Sequence, residues 1–349
     1  MLTHLLSLLP SGQRLHRVLG TALGVALVFG SSAAQAQSTI YGLGTVSQAI
    51  PSSNTFFPGA AVGDQGIVAI DRATSTIGPI ATPISGVAAG QRLVGMDYRP
   101  NTGELYALGY NAANSEARLY KLNPTTGVGT AVGNGPITLA LGGATERIGF
   151  DFNPTVDRIR VVSTNDANYR LNPNTGGLAA QDGPLAYRTA GDANLGKDPM
   201  VGAVAYTNSY LGSTSTTLYD IDMRPTVGAG ILATQIPPNE GSLNTMGTIT
   251  LDGSPIDPEA ILSVDIYFTG SANEAYLMEV TKPGAAGTSA SNLYNLNLST
   301  GAATVRRPII QAAVAPFTTG APFDIRDIAI PTAAPTTPNL LGQLVYAVA

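Results

Sequence analysis

The chain has 349 residues, with 18 Lys+Arg against 23 Asp+Glu, a net charge of −5, two histidines, and neither cysteine nor tryptophan. An acidic balance without a basic cluster lacks the electrostatic footprint of a nucleic-acid binder, and the lack of cysteine excludes disulfides, thiol nucleophiles and thiolate metal sites. The 40 glycines and 24 prolines fall mostly between short runs of Val, Ile, Tyr and Leu, a strand-and-turn texture in which no segment past the N-terminal leader sustains a helical period.

The leader comes first. Arg14, His16 and Arg17 precede an apolar run from Val18 to Phe29, and Ala34-Gln35-Ala36 then fits the small-x-small pattern of a cleavage site. The run is shorter than the ~18–20 residues that a membrane span needs. Residues 1–36 are therefore expected to be a cleaved secretory signal, followed by a β-repeat domain over 37–330 and a Pro/Thr-rich linker with a C-terminal strand over 331–349. Cleavage removes both His4 and His16, and leaves 16 basic against 23 acidic residues. A mature chain without His or Cys cannot build a Ser-His-Asp triad, a Cys nucleophile, or a zinc or haem site through those side chains. Gly42-Leu43-Gly44 is the nearest approach to a dinucleotide fingerprint, and it lacks the third Gly and the following helix. The expected location is secreted or periplasmic, with no membrane span after signal removal.

Four fragments then recur. Ile40 to Gly44 matches a second strand, Gly66 to Asp71 a third and Ile77 to Ile80 a fourth, with no first strand before them. A full unit opens with Leu93 to Tyr98, turns through Pro100-Asn101-Thr102-Gly103, returns as Leu105 to Leu108, and continues with Leu119-Tyr120-Lys121-Leu122. Its next turn, Asn123-Pro124-Thr125-Thr126-Gly127, leads to a short strand through Val132. In such turns Asn bonds its own downstream backbone, Pro presets φ and Gly takes the left-handed position. Ile148 to Pro154 restarts the unit, with Tyr169 to Gly176 as its third strand and turn. Val201 to Tyr206 opens another, with Leu218 to Asp222 read as its third strand. Leu262 to Tyr267 opens one more, followed by Leu293 to Asn297 and Ser299-Thr300-Gly301. Asp324 to Ile330 is then an orphan first strand, which a circular fold joins to the N-terminal fragments. The predicted fold is an all-β β-propeller of five four-stranded blades, with N- and C-terminal strands sharing one blade. Six blades or a β-solenoid are the alternatives; Leu344 to Val348 duplicates a second-strand pattern already supplied.

The runs Asp151-Phe152-Asn153-Pro154-Thr155-Val156-Asp157-Arg158-Ile159-Arg160-Val161-Val162-Ser163, Tyr169 to Pro173, Ala190 to Asn194, Ala205 to Ser209 and Thr216 to Asp222 resemble the bacterial family known as domain of unknown function 4394. The resemblance covers about residues 40 to 330 and implies an exported bacterial β-repeat domain with no established activity and no catalytic residues to carry over.

Carboxylates are the chemistry that survives. Aligned first strands place Asp97, Asp151, Asp265 and Asp327 at one equivalent position, with Ala205 in the remaining unit. Beside a central channel they form either a ring for a hard cation such as Ca²⁺ or a repeated acceptor for N–H groups of the next blade; the structural role is preferred, with no cofactor expected. Asp157-Arg158 reads as a cross-strand ion pair, Asp220-x-Asp222 as a third-strand turn, Tyr106, Tyr120, Tyr219 and Tyr294 as blade-packing aromatics, and Thr207 to Thr217 as a long solvated loop. The functional expectation is a non-enzymatic domain for binding, scaffolding or surface interaction with an extracellular or periplasmic protein, glycan or peptide. The alternative is a carboxylate-dependent hydrolase or lyase acting on an extracellular polymer.

Overall fold

The computed structural model describes residues 39–223, 230–256, 260–281, 290–308 and 323–332, with the side chains of 305–308 excepted. The leader, Leu344 to Val348 and the rest of the C-terminal segment past residue 332 lie outside the described residues.

Five separate sheets follow one another, and their inner strands touch in a ring that closes on itself. This is a five-bladed β-propeller, and among the described residues its only helical turn is Pro238–Glu240. Blade I joins the two ends of the chain: Phe323–Ala329 is innermost, followed by Thr39–Val46, Gln65–Asp71 and Thr82–Pro83. Blade II runs Arg92–Tyr98, Leu105–Asn111, Glu116–Leu122 and Gly129–Ala131 from channel to rim. Blade III runs Ile148–Asn153, Arg158–Ser163, Asn168–Leu171 and Leu178–Gln181. Blade IV runs Val201–Tyr206, Leu218–Asp222, Ile231–Gln235 and Ser242–Thr248. Blade V runs Ile261–Phe268, Asn273–Val280, Ser291–Leu296 and Ala302–Pro308.

Two expectations about strands are corrected. Leu218–Asp222 is the second strand of its blade, because Tyr206 pairs directly with Leu218; the third is Ile231–Gln235. Its Leu-Tyr-Asp-Ile-Asp sequence imitates the third strand of blade II, while a long hairpin loop imitates the missing strand. In blade I the fourth strand is Thr82–Pro83, and Ile77 makes only a single bridge to Ile70.

The core is not central. Five apolar clusters each fill one wedge between neighbouring blades: Tyr106, Leu108, Phe150 and Phe152 join blades II and III, and Ile221, Leu232, Val264 and Leu277 join IV and V. Alternating strand residues let each blade bury both faces. The rim turns take part. Gly127, Gly176 and Gly301 lie at φ of 70°, 68° and 79°, with Asn123, Asn172 and Asn297 capping them through backbone N–H groups two residues on. A Cβ on Gly127 would stand 1.9 Å from the Pro83 carbonyl oxygen of blade I, so its hydrogen also permits blade contact.

Candidate functional site

The inner strands run in the same sense around the channel, so their starts form one mouth and their ends the other. Toward the ends, the sequence-aligned aspartates tie each blade to the next. Asp327 of blade I accepts the N–H of Met96 at 2.7 Å, Asp97 of blade II that of Phe152 at 2.8 Å, and Asp151 of blade III that of Tyr206 at 3.0 Å. Asp265 of blade V accepts the N–H of Ile330 at 2.6 Å, which completes the circle. Ala205 interrupts it between blades IV and V, where Asn208 and Asn273 exchange two hydrogen bonds instead, at 2.8 and 3.0 Å.

Carboxylate oxygens of Asp97, Asp151 and Asp265 lie within 4.8 Å of one another, while Asp327 is not part of that trio. Burial pushes Asp97 and Asp151 well above the ordinary carboxylate range, and repulsion within the ring adds to it; burial raises Asp265 to about 7 and also raises Asp327. Such carboxyls suit the neutral form, in which they cross-link blades without unpaired charge.

The other predicted polar features have different partners. Asp157 pairs with Arg99 of blade II, Nε to Oδ1 at 2.8 Å, while Arg158 donates to the Asp157 carbonyl; the sequence-adjacent ion pair does not form. The left-handed turn at Asp157, φ 51°, turns its carboxylate toward the preceding blade. Thr207 to Thr217 is pinned rather than freely solvated: Tyr210 stacks on Phe268 at 4.5 Å and Thr216 bonds the Thr207 carbonyl at 2.6 Å. Asp220 is fully buried with neither oxygen hydrogen-bonded, and burial pushes it to about 8. Tyr106, Tyr120 and Tyr294 are buried between blades, and Tyr219 partly so.

Sequence reasoning missed the opposite mouth. There a cavity of about 450 Å³ is lined by residues from all five blades, including Arg92, Arg147 and Arg326. That volume lies in the range of small-molecule sites. Among the described residues Glu146 is its one carboxylate. Burial and the nearby Arg326 charge lower the proton affinity of Arg92 and Arg147, a sign of like charges crowded together. The repeat held a signal: Arg92-Leu93-Val94-Gly95-Met96-Asp97 and Arg147-Ile148-Gly149-Phe150-Asp151 both begin with arginine, differing by one residue. A β-bulge between Leu93 and Gly95 absorbs that residue.

Fold and channel together define an all-β propeller with an aspartate-linked ring and an arginine-lined mouth. A family model described as "Domain of unknown function (DUF4394)" matches residues 67–318, and the chain belongs to that family. No curated protein matches the sequence. Among solved structures, the chain is similar to a WD40 domain of Toxoplasma gondii coronin, at 11% identity and a TM-score of 0.35, over 74% of this chain and 61% of that one. It is likewise similar to a Bifidobacterium bifidum protein described as a putative exo-beta-1,3-galactanase, at 10% identity and a TM-score of 0.44, over 80% of this chain and 89% of that one. A Bacteroides thetaiotaomicron protein of unknown function gives 14% identity and a TM-score of 0.39, over 74% and 62%. The chain thus spans about three fifths of the coronin domain. Among the described residues no helix is long and apolar enough to cross a membrane.

Proposed function

We propose that this protein is exported and serves as a non-enzymatic binding module, with the arginine-side channel mouth as its site. The observation that carries this reading is the cavity of about 450 Å³, framed by all five blades. Rigid inner strands fix its walls, and hairpin turns such as the one bearing Ala113 form its rim. A polymer hydrolase or lyase calls for paired carboxylates facing a cleft. Here the trio of aspartates is engaged with backbone N–H groups of neighbouring blades, which favours binding over catalysis. The partner is then a glycan, peptide or protein group small enough to enter.

Two measurements test the proposal. Fractionation is expected to find the protein in the periplasm or medium, beginning near Gln37; a cytosolic protein retaining residues 1–36 would contradict export. A thermal-shift screen of small glycans and peptides is expected to yield stabilising ligands whose effect disappears in Ala113→Trp, which fills the mouth from an exposed turn. Ligands that act equally on that variant would move binding elsewhere.

A further inference from the structure

We infer that the channel mouth is a selective site for a small organic oxyanion, carrying carboxylate or phosphate, held by Arg92, Arg147 and Arg326. The inference rests on the reading of this cavity as the binding site and adds its chemical class.

Three guanidinium groups on one small cavity cost repulsion, which folding does not incur without a return. Their mutual influence follows from geometry, since each comes from a different blade yet all line the same wall-to-wall space. Two of the three are held at the wall by neighbouring side chains. Arg92 contacts Thr45 Oγ1 at 3.4 Å, and Arg326 reaches Asp324 at 3.3 Å with its side chain 47% exposed. Glu146 and Asp324 are opposing charges beside the arginines, the first bonded by Thr164 and the second by Arg326. Among the described residues, three guanidinium groups line the cavity against the one carboxylate of Glu146.

The backbone is shaped for this arrangement. Three of the five inner strands carry a one-residue register shift, and the residue skipped in each is Arg326, Val94 or Gly202. All three line the cavity. Bulges re-aim side chains and concentrate beside functional sites. At Arg326 the bulge frees the arginine from the alternation that governs its neighbours Ile325 and Asp327. At Gly202 a Cβ would stand 2.7 Å from Arg147 Cβ, so the glycine makes room for that arginine. Arg147 is further set by Met223 and by the Ala260 carbonyl, at 3.1 and 2.5 Å. Guanidinium forks match carboxylate and phosphate oxygens in pairs. Leu93, Ile148 and Tyr110 supply apolar wall for the body of an organic anion. An overall acidic protein that gathers arginines here is built to select anions locally rather than attract them generally.

Calorimetric titration of the protein at low salt tests this, using citrate and glucuronate as carboxylates, glucose 6-phosphate and inorganic phosphate as phosphates, and glucose as the neutral counterpart. One anion class is expected to bind with glucose silent, and affinity is expected to fall as salt rises. Arg92→Gln and Arg326→Gln should each weaken binding at least about tenfold with unchanged melting temperature, while the exposed Lys121→Gln leaves it as it was. Organic carboxylates binding alone, or phosphates alone, each support the inference and name the group. Inorganic phosphate binding as tightly as every organic anion overturns the organic class. Glucose binding that Ala113→Trp abolishes and the arginine variants leave intact overturns the anion inference while sparing the cavity as a site. Silence in every arm overturns both.

Discussion

Asp265 of the last blade accepts the backbone N–H of Ile330 at 2.6 Å, so the carboxyl that ends the ring is bonded to the strand that begins it. Burial pushes this carboxyl to about 7, and Asp97, Asp151 and Asp327 also rise. In the unfolded chain they return to about 4. The folded protein therefore keeps protons that the unfolded chain has released, and stability is complete below about pH 4, then falls as pH rises through the folded values. The limit is about 1.4 kcal/mol per pH unit for each carboxyl. Asp157 and Asp71, held low by bonds from Arg99 and Thr74, act oppositely and lose stability in acid. The expected melting temperature is highest near pH 5 and declines toward pH 8, with Asp265→Asn flattening the decline. Melting that rises steadily from pH 5 to 8 would refute this.

Closure of blade I depends on a glycine. A Cβ on Gly44 would stand 1.8 Å from the Phe323 ring, which packs edge-on against Phe56 and Phe57 at 5.7 and 6.0 Å. Gly44→Ala must displace this ring and the inner strand that holds it, at a cost of about 3 kcal/mol. Denaturant unfolding should show that loss, and Phe323→Leu added to Gly44→Ala should recover part of it. A neutral Gly44→Ala would mean that the terminal strands do not share one blade.

Much of this architecture was legible because it repeats. The Asn-capped, Gly-closed turns at Asn123, Asn172 and Asn297 announce their strands locally, and the first-strand aspartates share one alignment column. The split blade followed from an orphan first strand at one end and its missing counterpart at the other. What escaped depends on pairing register. Blade IV was misread because Leu218 to Asp222 carries a third-strand sequence in a second-strand place. The arginine mouth escaped because Arg326 stands one residue before its aspartate, whereas Arg92 and Arg147 stand five and four before theirs. Only the bulges bring them to one level.

Blades II and III are stapled by Arg99, which gives Nε to Asp157 and Nη2 to Asn174, both at 2.8 Å. The pair is partly buried, with side chains 9% and 20% exposed. Arg99→Met should cost about 2 kcal/mol, less than a fully buried pair, because water reaches the abandoned carboxylate. Adding Asp157→Asn should restore about half of the loss in a double-mutant cycle. Additive losses would show that the two side chains act independently.

Calcium should leave stability unchanged. Asp97 and Asp265 each accept backbone N–H groups on both carboxylate oxygens, and three carboxyls fall short of the ~6–8 oxygen ligands that calcium takes. Melting in calcium and in chelator should agree within about 1 °C. A rise of several degrees, with loss of the alkaline decline, would reassign the ring to cation binding.

Asp220 gives the sharpest contrast with the ring. Both of its oxygens are buried without a hydrogen-bond partner, and Arg160, whose charge favours its ionised form, is already engaged by Asp182, Asn168 and Asn239. Its carboxyl, raised to about 8, remains protonated at neutral pH and must ionise in the interior above that. Its contribution to stability is therefore intact below about pH 4 and lost as pH climbs through 8. Asp220→Asn keeps size and neutrality and removes that loss. Urea unfolding should show wild type and variant within about 0.5 kcal/mol at about pH 3.5, and the variant ahead by at least about 1 kcal/mol at pH 9. Equal stability at both pH values would mean that Asp220 is ionised and paired in the folded protein.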